Sequence, residues 1–341
     1  MNIPYRALAD YLPVDLARLR PEGSYKALIA KRTHAIDDLV AKFGRIPDDL
    51  LTERACPTCG SSEYRDELHK DHMRLVRCSA CDLVYVNPAF NEDHYRSVYS
   101  SNGYQAIMRD LGEKSHDYRV ERFGKERVEL MARQLLPDAG PQPSYLDIGC
   151  STGFVVEAAA TRGWRAAGID LNPSAVAFGR ARGLDVQATA LEDAGFPQGS
   201  FDAVSLFDVV EHLLFPRTTL DLAIRLVKPG GILFLYVPNY DSASRVLMGP
   251  NAHFIWPTHH LNYYTPTTLG DLLRRAGLEP VMMMTEGLDI ADYLWHQREV
   301  VGADVSAIDS IAEDLQFFIN AGCYGKNLRM IGRVQARPHS A

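Results

Sequence analysis

From residue 144 onward, short apolar runs rich in β-formers (SYLDIG, AAGID, FDAVSLFD, GILFLYVP) alternate with helical stretches of roughly ten to sixteen residues. No other feature constrains the fold as much. Parallel strands cannot be joined by a tight turn and need a crossover of about a dozen residues, usually a helix. The rhythm therefore predicts an α/β fold with a doubly wound, mostly parallel sheet, whose ligand sits outside the carboxyl ends of the strands.

The first strand runs into a turn, YLDIGCSTGF, residues 145–154. Gly149 and Gly153 lack a Cβ, so the chain can turn sharply and a ligand can lie against bare backbone at the start of a helix near Phe154. A dinucleotide turn would read Gly-x-Gly-x-x-Gly, whereas here Cys150, Ser151 and Thr152 separate the two glycines. The second strand ends in Asp170, a carboxylate able to accept from both hydroxyls of a ribose. NAD and S-adenosylmethionine both carry such a ribose, so Asp170 alone does not choose between them.

Ahead of this core, Cys56 and Cys59 are answered by Cys78 and Cys81 in the pattern C-x2-C-x18-C-x2-C. Two thiolate pairs on tight turns supply four soft ligands for a tetrahedral Zn²⁺ with no position left open, so the expected role is structural. The β-rich residues around the second pair suggest a ribbon hairpin, with His69 and His72 in its loop and outside the ligand set.

The ordered set Asp147, Gly149, Gly153 and Asp170, then ATALEDAGFPQGSFDAVSLFDVVEHL and RLVKPGGILFLYVPN, resembles the class I S-adenosylmethionine-dependent methyltransferases. The resemblance continues through THHLNYYTPTTLGDLLRRAGLEPVMMM to NLRMIGRVQA, which fits the family's antiparallel seventh strand. It implies a seven-stranded Rossmann-like sheet of order 3-2-1-4-5-7-6. It also implies that Asp147 and the Gly149–Gly153 turn, Cys150 included, face the methionine part and ribose, and that Asp170 binds the ribose hydroxyls. Leu171 would flank the adenine, Ala190 and Leu191 (with Glu192 beside them) would contact it, and Phe207 and Asp208 would lie beside the methionine moiety. Tyr104, from the preceding segment, would reach its carboxylate. A competing reading gives Asp208 and Glu211 the ordinary task of carboxylates in a first helical turn.

Acceptor chemistry is expected in FIWPTHHLNYYTP, where His259, His260, Tyr263 and Tyr264 are dense and a histidine can act as a base near neutrality. Thr265 before Pro266 also has the character of a helix N-cap. A four-cysteine motif ahead of the core and a His/Tyr segment after strand five are similar to bacterial deoxysugar C-methyltransferases, although THHLNYY stands where those have a Glu-His pair. The implied activity is methyl transfer from S-adenosylmethionine to a small polar acceptor such as a sugar or natural-product intermediate, on oxygen, carbon or nitrogen. Two alternatives are an RNA methyltransferase docking through Lys70, Arg74 and Arg77 of the ribbon, and a non-catalytic cofactor-binding module.

A formal net charge of -7 weighs against a long nucleic-acid surface. No apolar run approaches the roughly 20 residues of a membrane span, and the N-terminus has no signal-peptide pattern, so a cytoplasmic protein is expected. The expected organisation is a helical segment (1–53), a zinc ribbon (54–89), a linker or lid with the first core helix (90–137), and the core (138–341) with an insertion near 290–325. The sequence does not indicate an oligomeric state.

Overall fold

The computed structural model describes residues 13–19 and 36–335, apart from the side chain of Tyr104. Most of the expected helical lead-in, and the expected contact of Tyr104, lie outside what is described. Five short strands precede the core: β1 (Leu51–Thr52), β2 (Tyr64–Lys70), β3 (Met73–Cys78), β4 (Val84–Val86) and β5 (Ala89–Phe90). The core contributes β6 (Ser144–Ile148), β7 (Arg165–Asp170), β8 (Val186–Ala188), β9 (Phe201–Phe207), β10 (Val227–Pro238), β11 (Asn262–Tyr263), β12 (Leu278–Glu286) and β13 (Asn327–Val334).

Seven of these form one sheet in the order β12-β13-β10-β9-β6-β7-β8. Read from β8 and counting only its own strands, the order is the expected 3-2-1-4-5-7-6. Strands β8, β7, β6, β9 and β10 run parallel, and β13 lies antiparallel between β10 and β12. Residues of β6 and β9 are buried on both faces, as inner parallel strands must be when helices cover them. Alternation divides them: Leu146, Ile148, Val204 and Leu206 pack one way with Leu220, Leu269 and Leu272 of the helices. Tyr145, Ala203 and Phe234 pack the other way with Val128, Val155 and Ala158. Met282, Met283 and Met284 of β12 are all buried.

A second sheet has the order β11-β4-β3-β2. Strands β2 and β3 are joined through Asp71 and His72, both at positive φ (50° and 59°), the mirror-image turn that suits strand twist. Strand β11, contributed by the segment after β10, adds to β4 with Asn262 opposite Tyr85 and Tyr263 opposite Val84. Cys56, Val76, Cys78, Leu83 and Tyr85 share a hydrophobic cluster with Tyr264, Leu269 and core strands. The buried Arg54 guanidinium donates to the carbonyls of Val86 (3.1 Å), Leu214 (3.0 Å) and Leu261 (2.6 Å), joining the cysteine region to two core loops.

Helices Glu92–Ser100 and Asn102–Arg119, a wider turn over 120–124, and helix Lys125–Gln134 lead into β6. Helices Asp289–His296 and Ala312–Ala321 occupy the stretch between β12 and β13. They are anchored by the buried Asp289 carboxylate, which accepts from the Ser244 N–H (2.9 Å), the Lys326 N–H (2.8 Å) and Gln316 (3.1 Å).

Candidate active site

The four cysteines of the two pairs come together, their sulfurs all within 4.8 Å of one another. Cys56 and Cys81 are 3.5 Å apart, as are Cys59 and Cys78. Sulfurs around a zinc with ~2.3 Å bonds stand about 3.8 Å apart at the corners of a tetrahedron, so the donor set suits such an ion. Each pair sits on a tight turn, closed by the Gly60 N–H donating to the Cys56 carbonyl (2.8 Å) and the Asp82 N–H to that of Cys78 (3.1 Å). Neither His69 nor His72 belongs to this cluster.

At the carboxyl end of β6, Gly149 (φ 80°) and Gly153 (φ 81°) adopt the left-handed conformation glycine favours. A Cβ on Gly149 would stand 2.5 Å from the Val209 side chain, so bare backbone is needed on steric grounds as well. Helix Phe154–Thr161 begins directly after Gly153. Asp147 is buried beneath the turn, where Ser205 Oγ donates to it at 2.6 Å, and burial lifts its carboxyl to about 7 despite that bond and the nearby Arg127. Cys150 is buried among Val156, Val176 and Val186, and burial pushes its thiol well up, so it packs and carries no thiolate character.

Asp170 is held by backbone: the Ser151 N–H donates to one oxygen (2.8 Å) and the Asn172 N–H to the other (2.7 Å). A carboxylate has about four acceptor sites, so these two bonds do not exhaust it. Leu171, beside it, is 68% exposed, an apolar side chain open to a flat apolar partner. Ala190 and Leu191 lie in the turn after β8, partly buried, which the Thr189 N–H ties to the Asp170 carbonyl (3.1 Å). His116 fastens the long helix to the glycine turn by pairing with Thr152 Oγ1 and Glu157, each at 2.9 Å.

Strand β9 ends with Phe207 buried and Asp208 accessible at positive φ (56°). Arg127 is buried with its guanidinium 4.3 Å from the Phe207 ring and 4.4 Å from that of Tyr236. It is a cation set against aromatic faces beside Asp147 and Asp208. Nothing in the primary sequence distinguished it from the other charges of a surface-patterned helix.

The chain leaving β9 makes a 3-10 turn, Val210–His212, and Glu211 there is fully buried. It therefore does not serve as an exposed carboxylate at a helix start. Glu211, His212 and His260 bring one ligand atom each to within 4.8 Å of one another, and the two imidazole rings meet at 4.8 Å. Burial, reinforced by the Asp208 charge, holds the Glu211 carboxyl well above the ordinary carboxylate range. His259 faces elsewhere, stacked on Trp256 at 3.8 Å. The Tyr263 hydroxyl accepts from the Trp256 N–H (3.1 Å) within the second hydrophobic cluster, and Tyr264 is buried in the first. Both tyrosines thus have packing to account for them. Thr265 does cap the helix Pro266–Arg275, its side chain accepting from the Thr268 N–H.

Glu211 and His212 were legible only as a charged pair after a strand. Their meeting with His260, 48 positions further along the chain, is a tertiary event.

Residues 118–282 match a family model described as a methyltransferase domain. The chain is 34% identical over 166 residues to a ubiquinone biosynthesis O-methyltransferase of Xanthomonas axonopodis pv. citri, covering 45% of this chain and 68% of that protein. It is 33% identical over 147 residues to the protein of the same name in Thiobacillus denitrificans, covering 39% and 63%. Among solved structures, a SAM-dependent methyltransferase from Archaeoglobus fulgidus aligns with a TM-score of 0.46 and 21% identity, over 66% of this chain and 98% of that one. The 1,6-didemethyltoxoflavin-N1-methyltransferase of Burkholderia thailandensis aligns with a TM-score of 0.46 and 15% identity, over 80% and 99%. The seven-stranded order, the glycine turn and the curated relatives agree: the chain belongs to the S-adenosylmethionine-dependent methyltransferases.

Proposed function

We propose that the chain transfers a methyl group from S-adenosylmethionine to an oxygen of a small polar acceptor, a sugar or natural-product intermediate. The observation that carries the reading is that Asp208, Glu211 and His212 leave β9 on one short turn, with His260 brought up to it. Cofactor-facing and acceptor-facing groups then share a single rigid segment. The curated relatives' printed name, an O-methyltransferase, supports oxygen as the acceptor atom.

Bound S-adenosylmethionine supplies an electrophilic methyl group on sulfur, transferred by in-line displacement. The protein's task is chiefly to align donor and acceptor and to exclude water. Asp170 takes the ribose hydroxyls, Leu171 with Ala190 and Leu191 flanks the adenine, and the Gly149–Gly153 turn lets the ligand approach backbone. Arg127, a buried cation near Asp147 and Asp208, is suited to the amino-acid carboxylate. Glu211, His212 and His260 face the acceptor and position its hydroxyl for transfer, the proton it loses passing to water.

Zinc in the four-cysteine cluster has a structural part in this reading, holding the sheet to which β11 belongs. With four thiolates and no open position it takes no part in the transfer.

The test is calorimetric titration with S-adenosylmethionine and, separately, with NAD, followed by transfer of a labelled methyl group to a panel of nucleotide sugars, free sugars and phenolic acceptors. Binding of S-adenosylmethionine alone, with label in an alkali-stable O-methyl product, is expected. Binding of NAD in its place, or label found only on carbon or nitrogen, overturns the reading.

A further inference from the structure

Glu211 is 0% exposed, yet neither of its carboxylate oxygens has a hydrogen-bond partner. A buried carboxylate is ordinarily paired, hydrogen-bonded or bound to a metal, because water no longer satisfies its oxygens. What surrounds it is a donor set. Ligand atoms of Glu211, His212 and His260 lie within 4.8 Å of one another, and His212 Nε2 is 3.8 Å from Glu211 Oε1.

Both imidazoles are aimed by backbone. His212 Nδ1 donates to the His259 carbonyl at 2.9 Å, and His260 Nδ1 donates to that of Phe254 at 2.8 Å. A carbonyl can only accept, so in each neutral ring the proton is on Nδ1 and Nε2 carries the lone pair. Metal-binding histidines are held in the same manner, with the far nitrogen donating to a carbonyl or carboxylate to set tautomer and orientation. The segments themselves are stitched together: the Leu261 N–H donates to the Glu211 carbonyl (2.7 Å), and Asn262 Nδ2 donates to the carbonyls of Val210 (3.1 Å) and Leu213 (2.8 Å).

We infer that Glu211, His212 and His260 form a second metal site, for a divalent first-row transition-metal ion, distinct from the four-cysteine cluster. Two imidazoles and one carboxylate suit Zn²⁺, Mn²⁺, Fe²⁺ or Co²⁺ and leave coordination positions open, where four thiolates leave none. Resting on the proposed transfer to oxygen, the ion's use is to hold the acceptor's hydroxyl oxygen and favour its deprotonated form, the proton passing to water. Occupancy of the site does not depend on that use.

The experiment reads metal directly. The full chain, purified with its cysteine cluster filled by zinc, is titrated with Co²⁺ by calorimetry and visible absorption, without cofactor or acceptor. The expected result is binding of about one further ion whose spectrum lacks thiolate-to-metal charge transfer, with affinity falling by roughly 100-fold or more in Glu211→Gln and in His212→Ala. S-adenosylmethionine affinity and melting temperature establish that each variant is folded. His260→Gln, at a half-buried position, carries the same expectation if Glu211→Gln does not fold. Absence of any ion beyond the zinc, a thiolate charge-transfer band, or unchanged Co²⁺ affinity in folded variants overturns the inference. Methyl transfer that persists with this site empty would leave the proposed reaction standing and remove only the metal's part in it.

Discussion

Asn262 lies opposite Tyr85 in an antiparallel pair, so the strand that begins two residues after His260 is an edge of the four-cysteine sheet. The ribbon is therefore part of the frame of the proposed acceptor site and not an appendage beside it. From the cysteines the path runs through β4 and β11 to His260, and from there to His212 and Glu211 beside Asp208.

Cys78→Ser removes one sulfur of the cluster. We expect zinc to be lost, the melting temperature to fall by roughly 5–10 °C, and turnover to fall with it, because β4 no longer holds β11 in register. Cofactor affinity should stay within about twofold, since the glycine turn is held by its own backbone bonds, the Gly149 and Cys150 N–H groups donating to the Ile169 carbonyl. Metal analysis, thermal melting and calorimetry on one preparation decide it. Full turnover in a zinc-free variant would break the link between ribbon and acceptor site.

Arg54→Leu deletes a buried cation that donates to three carbonyls, those of Val86, Leu214 and Leu261. Each acceptor is left buried, and the loss should be about 3–5 kcal/mol in urea unfolding. Because Leu214 and Leu261 follow closely on His212 and His260 of the proposed acceptor site, kcat should drop more than cofactor affinity. An equal effect on both would mean that the damage is global.

Gly149→Ala meets two obstacles at once, a φ of 80° and a Cβ placed 2.5 Å from Val209. Strain of about 1–3 kcal/mol at the turn should weaken S-adenosylmethionine binding roughly tenfold or more. Combining it with Val209→Ala relieves the clash and leaves the backbone strain, so recovery should be partial. Complete recovery would show that only the contact mattered.

His260→Ala should lower turnover by about 10² with cofactor affinity nearly unchanged. His259→Ala should cost much less, its ring being occupied against Trp256. Single-turnover rates and calorimetry separate the two. The reverse order of effects would move the acceptor site to the His259 side.

Asp147 supplies a pH dependence of known sign. Burial pushes its carboxyl up to about 7, above the ordinary aspartate value of 3.8. Between those values the folded state holds a proton that the unfolded state has lost. Stability on its account is therefore greatest below about pH 4 and declines as pH rises towards 7. Asp147→Asn removes that decline. Urea unfolding of wild type and variant at about pH 5 and about pH 8 should show the variant gaining relative stability at the higher pH, and a constant difference would rule out the raised carboxyl.

Much of this was legible in the chain itself. The alternation of β-rich runs with helical segments determined the doubly wound sheet, because parallel strands require crossovers. Glycine at 149 and 153 announced positive φ, and the cysteine spacing announced a four-sulfur cluster, because both are local demands met within a few residues or one hairpin. Tertiary structure decided the rest. Burying Glu211 without a hydrogen-bond partner, turning His260 towards His212 while His259 stacks on Trp256, setting Arg127 over the Phe207 ring, and adding β11 to the cysteine sheet all depend on contacts between segments far apart in sequence. Periodicity reports which face of an element is apolar, whereas the partner that face meets, and the polar groups trapped there, are set by how the layers pack.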